Sequence, residues 1–263
     1  MIWFLVKKTF FDVWDNLFHI FLLNMGFIIS AVIAVLIPKF IFECAPGASI
    51  FVIISAVIGL LWCCVYLAAA ALSVKSISDY GTFGFADFWA NLKAGWPAGL
   101  VLSAAGFILF LMIKIVIPFY FEINSIAGLI LGVLLFWVLI TTLISFQFFY
   151  AIRARLDTKP LKIIKKCFII FFDNLLFSIF CLMYSMVTLA LSPGFLMPGP
   201  AGTLLFLDEA LRLRLMKYDW LEANPPDMHS PKRLTIPWDA ILIEEREKTG
   251  SRTLRSFIFP WRD

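Results

Sequence analysis

Six polar side chains stand where an apolar chain would be expected to have none. Lys114 lies inside Leu111-Met112-Ile113-Lys114-Ile115-Val116-Ile117, with Pro118 and Glu122 four and eight residues on, along one helical face. A Lys114–Glu122 contact across a proline kink would line a polar cavity. Asp173 and Asn174 open one hydrophobic stretch, and Asp208 and Glu209 follow another. Ionisable groups at membrane depth are expensive, so all six are candidate binding residues, suited to a cation or a polar head group. Each also has a plainer reading. A lysine near a helix end snorkels to the headgroups, and acids at helix starts cap the helix or interact favourably with its dipole.

No nucleophile with its base, Walker loop or HExxH pattern accompanies them, so no enzymatic activity is expected and no catalytic residue is assigned. Neither cofactor nor metal is expected. Cys44, Cys63, Cys64, Cys167 and Cys181 show no metal-binding spacing, and His19 and His229 are far apart.

The elements that must position these groups are helices in a bilayer. The 263-residue chain is 62% hydrophobic and 15% charged, against about 25% charged for a soluble domain. Lipid must therefore cover much of it. Runs of about 20 apolar residues qualify as spans: 17–42, 49–74, 97–121, 125–152 and 167–191. A sixth, 195–207, is short and broken by Pro198, Gly199, Pro200 and Gly202. It fits a short span, a re-entrant segment or an extension of the fifth helix.

Cations mark alternate loops. Lys7 and Lys8 precede the first run. Lys75 and Lys93 lie between the second and third, and six Lys and Arg residues from Arg153 to Lys166 between the fourth and fifth. Arg212, Arg214 and Lys217 follow the sixth. This places both termini in the cytoplasm of a multi-pass protein of the cell membrane. The only polymer-scale partner that composition implies is the lipid bilayer. Nucleic acid is not expected, because no basic stripe with interleaved aromatics occurs.

Three similar openings precede long apolar runs: Phe11-Asp12-Val13-Trp14-Asp15-Asn16-Leu17, Phe85-Ala86-Asp87-Phe88-Trp89-Ala90-Asn91-Leu92 and Phe171-Phe172-Asp173-Asn174-Leu175. The expected fold is all-α: a polytopic transmembrane bundle of five to six spans, in three pseudo-repeated units of about 1–80, 81–158 and 159–220, each an amphipathic helix plus hairpin. Acidic and amide groups of the openings would form a ring where the hairpins meet. Asn24 and Gln147 are read as interhelical hydrogen-bonding residues, and Gly26, Gly59, Gly106, Gly128 and Gly132 as close-packing positions. Residues 221–263 read as a cytoplasmic tail. In it a short amphipathic helix starts at Pro237-Trp238 and ends before Gly250, and the close is aromatic and basic, from Arg252 to Arg262.

The block Lys7-Lys8-Thr9-Phe10-Phe11-Asp12-Val13-Trp14-Asp15-Asn16-Leu17, followed by Leu22-Leu23-Asn24-Met25-Gly26, resembles the YesL-like family of bacterial integral membrane proteins. The resemblance covers the first hairpin, and beyond it only hydropathy. It implies an accessory protein near carbohydrate ABC transporters and carries over no catalytic residue. Two readings stand. One is an accessory or scaffold protein contacting an ABC transporter or other membrane complex through its tail. The other is a small transporter or channel with a polar site between repeated hairpins.

Overall fold

A computed structural model describes residues 1–45, 47, 49–123, 125–192, 194, 196–224, 236–250 and 252. The described residues form helices and no strand. In order these are α1 (Ile2–Asp15), α2 (Leu17–Cys44), α3 (Ser49–Ser78), α4 (Phe85–Leu111), a π-helical turn (Met112–Val116), α5 (Ile117–Glu122), α6 (Ile126–Phe146) and α7 (Phe149–Arg155). Then come α8 (Pro160–Asp173), α9 (Leu175–Leu191), α10 (Gly199–Ala223), α11 (Trp238–Ile241) and α12 (Ile243–Thr249). The fold is a polytopic helical bundle.

Four helices are long and apolar enough to cross a membrane: α2, α3, α4 through α5, and α6. The pair α8–α9 makes a fifth if counted as one broken span. At most 22% of the most apolar window of each single span is buried, and none of it in α4–α5. Water would not tolerate so much bare apolar surface, and a bilayer covers it. The chain thus fits an integral membrane protein.

The expected third run is part of a helix that starts earlier, at Phe85, and passes through the π-turn before Pro118. Proline cannot donate a backbone hydrogen bond, and the wider turn accommodates that loss. The expected fourth run is divided: α6 ends at Phe146 and α7 begins at Phe149. The expected fifth is also divided. The chain breaks at Asn174, leaving α8 and α9 at 105° to each other. A similar break at Asn16 separates α1 from α2. At the second opening, however, α4 runs unbroken through Asn91. The first and third openings thus end in helix breaks, and the second is continuous helix.

The sixth segment becomes the 25-residue helix α10, which meets α1, α2, α3, α7 and α9. Its charges keep it out of the set of candidate spans, and three of them, Asp208, Glu209 and Arg214, are buried within the bundle. Pro193 and Phe195, which precede it in the sequence, lie outside the described residues.

Burial concentrates at one end of the bundle. It takes in the first half of α2, the second half of α3, the middle of α4 and α9 as far as Ser185. Phe148, Phe149 and Phe206 are wholly enclosed there with Leu5 of α1 and Leu242 before α12. Each contributes roughly 1.5–3 kcal/mol of apolar burial. Thus the first helix and the penultimate segment belong to the same core.

Candidate functional site

Residues Ser78, Asp79 and Tyr80 close α3, the helix that receives most of the neighbouring charge. The last carbonyls of a helix lack partners and carry its negative dipole end, so cations gather there. Ser78 O accepts from Lys8 Nζ at 3.2 Å and from Arg212 Nη1 at 2.5 Å. Arg155 Nη2 donates to Ser78 Oγ at 2.9 Å, and Arg155 Nη1 to Asp79 Oδ1 at 3.0 Å. Tyr80 sits at φ 60°, where glycine is usual. A bulky residue there is strained, at a cost of order 1–3 kcal/mol. What the conformation achieves is placement of the ring: Lys8 Nζ lies 4.4 Å, the Arg212 guanidinium 5.6 Å and Lys248 Nζ 5.8 Å from its centroid.

Lys8 is the centre of the cluster. On α1, buried Phe4, Leu5, Lys8, Thr9, Phe11 and Asp12 form the inward stripe, and the stripe carries the lysine into the bundle. Its ammonium donates to Asp12, to Ser78 O and to Glu209 Oε1 at 3.3 Å. Three donors have three acceptors, and a phenol ring covers the remaining side. Glu209 also accepts from Thr9 Oγ1 at 2.5 Å and is 1% exposed. Burial pushes the Glu209 carboxyl well above its usual range; Lys8 opposes this and Asp12 reinforces it. Burial would lower Lys8, but Glu209 and then Asp12 reverse that, so it stays charged.

Next to this trio, Arg155 of α7 grips Asp208 through two parallel hydrogen bonds, Nε to Oδ1 at 2.8 Å and Nη2 to Oδ2 at 2.5 Å. Arg212 reaches Glu245 of α12 at 2.6 Å, and Tyr80 Oη donates to the same carboxylate at 2.8 Å. Burial pushes the Tyr80 phenol up to about 12, so it remains a neutral donor. The C-terminal segment therefore closes the junction. Lys7 Nζ meets Gly250 O at 3.4 Å, and Arg252 binds Asp15 with both nitrogens, at 3.0 and 2.9 Å. Two non-adjacent terminal segments are bolted to the end of α3 and the middle of α10.

The sequence-derived candidates divide into three places. Asp208 and Glu209 lie in this junction. Asp173 and Asn174 lie further along α10, with Tyr218 donating to Asp173 Oδ2 at 2.6 Å and Lys217 at 3.1 Å, while Asn174 Nδ2 reaches Tyr218 Oη at 2.6 Å. Lys114 and Glu122 are exposed near the opposite end of the bundle, and no ion pair joins them to each other or to another described residue. The expected Lys114–Glu122 contact is absent because the helix turns both side chains outward.

The ring of acids and amides does not form either. Its members are engaged elsewhere: Asp87 caps Gly84 N, Asn91 reaches Ser73 Oγ, Asn16 reaches Asp12 O and Asp15 pairs with Arg252. Among the described residues no cluster of His, Cys, Asp and Glu could hold a metal.

Sequence reasoning treated Lys8 as a flanking cation and left Arg155, Tyr80 and Glu245 out of the candidate set. For Lys8 a usable signal existed, since it falls on the apolar stripe of α1 with Asp12 one turn on. For the others the partners lie 33–165 positions away and leave no local trace.

Asn24 of α2 has a separate role. It donates to Leu196 O and Pro198 O and accepts from Ala201 N, each at 2.8 Å. One side-chain amide thus satisfies the backbone where α10 begins inside the bundle. Gly199 makes room for it: a Cβ there would lie 2.6 Å from Asn24 Nδ2.

Between α2, α3 and α4 lies an apolar groove of about 500 Å³, lined by Phe18, Leu22, Tyr66, Phe83 and Phe88 with His19 at its side. It is separate from the charged junction. Comparisons with family models, curated proteins and solved structures give no match.

Proposed function

We propose that the chain is an integral membrane accessory or scaffold protein without catalytic activity. One observation carries this reading. The ionic groups at the heart of the bundle, Lys8, Asp12, Asp208 and Glu209, are all at most 8% exposed and engaged with other parts of the same chain. Such a junction sets the positions of helices and termini. It offers no group to a passing solute. The long apolar faces of α2, α4 and α6 remain for lipid and for helices of a partner.

Positive-inside asymmetry supports a cytoplasmic position for the end that carries α1, α7 and α8. The bacterial cytoplasmic membrane and a link to carbohydrate uptake, through an ABC transporter or similar complex, rest on the YesL-like resemblance of residues 7–26. A transporter or channel reading has less support, since Lys114 and Glu122 face outward and Asp173 is tied to Tyr218 and Lys217.

The test is affinity purification of the full chain from native membranes in mild detergent, followed by mass spectrometry. Stoichiometric recovery of another membrane complex is expected. Recovery of the chain alone, together with solute flux in proteoliposomes, would overturn the proposal.

A further inference from the structure

Helices α1 and α8 carry the same signature in the same register. Lys7-Lys8 stands nine and eight residues before Asn16-Leu17, and Lys165-Lys166 nine and eight before Asn174-Leu175. Both helices have 14 residues and both end at the Asn corner. Their lysines have opposite fates. Lys8 is 2% exposed and held by two carboxylates and a carbonyl. On α8, Lys162 and Lys165 point outward, as does Lys159 just before the helix, and no ion pair engages these three. The nearby carboxylate, Asp157, pairs with Lys166 at 3.5 Å and attracts Lys162 at longer range. Asp173, at the far end of α8, is taken by Lys217 and Tyr218 of α10.

The inner face of α8 is fully used: Ile163, Cys167, Ile170 and Phe171 are buried. At about 100° per residue, Leu161, Phe172, Lys165, Ile169 and Lys162 fall in that order within one arc of about 100° on the opposite side. Leu161 is 83%, Phe172 68% and Ile169 52% exposed. Lysines interleaved with large bare apolar groups suit neither water nor hydrocarbon alone. They suit the boundary, with aliphatic and aromatic groups among acyl chains and ammonium groups at the phosphates. The 105° corner supplies the orientation, because α8 lies across the axis of α9 rather than along it.

We propose that the outer face of α8, with Lys159, Lys162 and Lys165, is a binding surface for anionic phospholipid headgroups. Charge complementarity names the ligand. Exposed cations at the depth of the headgroups attract anionic lipid, each strengthening attachment about fivefold. The inference rests on the membrane-embedded fold and is independent of the accessory role.

Native mass spectrometry of the full-length protein, in neutral detergent with equal phosphatidylglycerol and phosphatidylcholine, tests it. Wild type should retain phosphatidylglycerol at least tenfold over phosphatidylcholine, and salt should weaken the preference. The combined variant Lys159→Gln, Lys162→Gln and Lys165→Gln should lose most of that preference with its thermal midpoint unchanged, since none of the three forms an ion pair. Lys39→Gln, at the other end of the bundle, should behave as wild type. A wild-type protein without the preference, or a triple variant that keeps it, overturns the proposal.

Discussion

Lys8 and Glu209, 201 positions apart, meet at 3.3 Å in the interior of the bundle, beneath the ring of Tyr80 and beside Asp12. The contact joins the first helix to the central one. A buried ion pair is seldom a large net source of stability compared with an apolar replacement, but removal of one partner leaves the other charged and unsolvated. The junction therefore acts as a positional lock: α1 has one register on α10 in which Lys8 and Thr9 both reach Glu209.

The first prediction concerns pH. Glu209 binds its proton more tightly folded than unfolded, because burial raises it. Between the unfolded value near 4.3 and the raised folded one, the native state therefore holds a proton that the unfolded chain has released. Stability from this group is fully present at acid pH and falls as pH rises through the folded value. Thermal unfolding in detergent from pH 5 to 8 should show that decline. Glu209→Gln, which stays neutral, should flatten it.

Asn24→Ala should cost about 3 kcal/mol, since Ala201 N and the carbonyls of Leu196 and Pro198 lose their shared partner inside the bundle. Equilibrium unfolding measures it. A cost below about 0.5 kcal/mol would mean that this amide does not hold the start of α10.

The glycines separate into tight and open positions. A Cβ on Gly99 would come 2.5 Å from Val65 Cα, where α3 and α4 cross, whereas Gly106 has nothing within 4 Å. Gly99→Ala should lower stability by about 1–3 kcal/mol through overpacking. Gly106→Ala should be neutral or raise it slightly through helix propensity. Comparison of the two thermal midpoints gives the answer. Gly128 and Gly132, spaced like a dimer motif, instead accommodate Tyr120, Phe121 and Ile123 of the same chain.

Lys114→Ala provides the contrast to the junction. The side chain is exposed and has no ion pair, so its loss should change stability by less than about 0.5 kcal/mol. A destabilisation above about 2 kcal/mol in chemical unfolding would show a partner that this account lacks.

How far these features were legible in the sequence depends on the distance between cause and effect. Apolar runs announce the long helices, because a span needs only its own residues. The corners at Asn16 and Asn174 follow amphipathic stripes readable within 14 residues. The straight passage through Asn91 shows that the shared Asp and Asn-Leu do not bend a helix by themselves; α4 packs along α3 without a break. Asp208-Glu209 drew notice as acids beside an apolar run, but their setting depends on Lys8 and Arg155. Lys114 drew the same notice and is bare. Hydropathy cannot distinguish the two cases, since both are charges in apolar sequence, and only the facing helix decides.

The most direct test is a double-mutant cycle on Lys8→Met and Glu209→Gln, read by equilibrium unfolding of the full chain in mild detergent at pH 8. If the junction locks α1 to α10, Lys8→Met alone should cost about 3–5 kcal/mol, because it leaves two carboxylates facing each other without a cation. In the Glu209→Gln background it should cost at least about 1 kcal/mol less. An equal cost in both backgrounds, or a Lys8→Met variant as stable as wild type, would contradict the account.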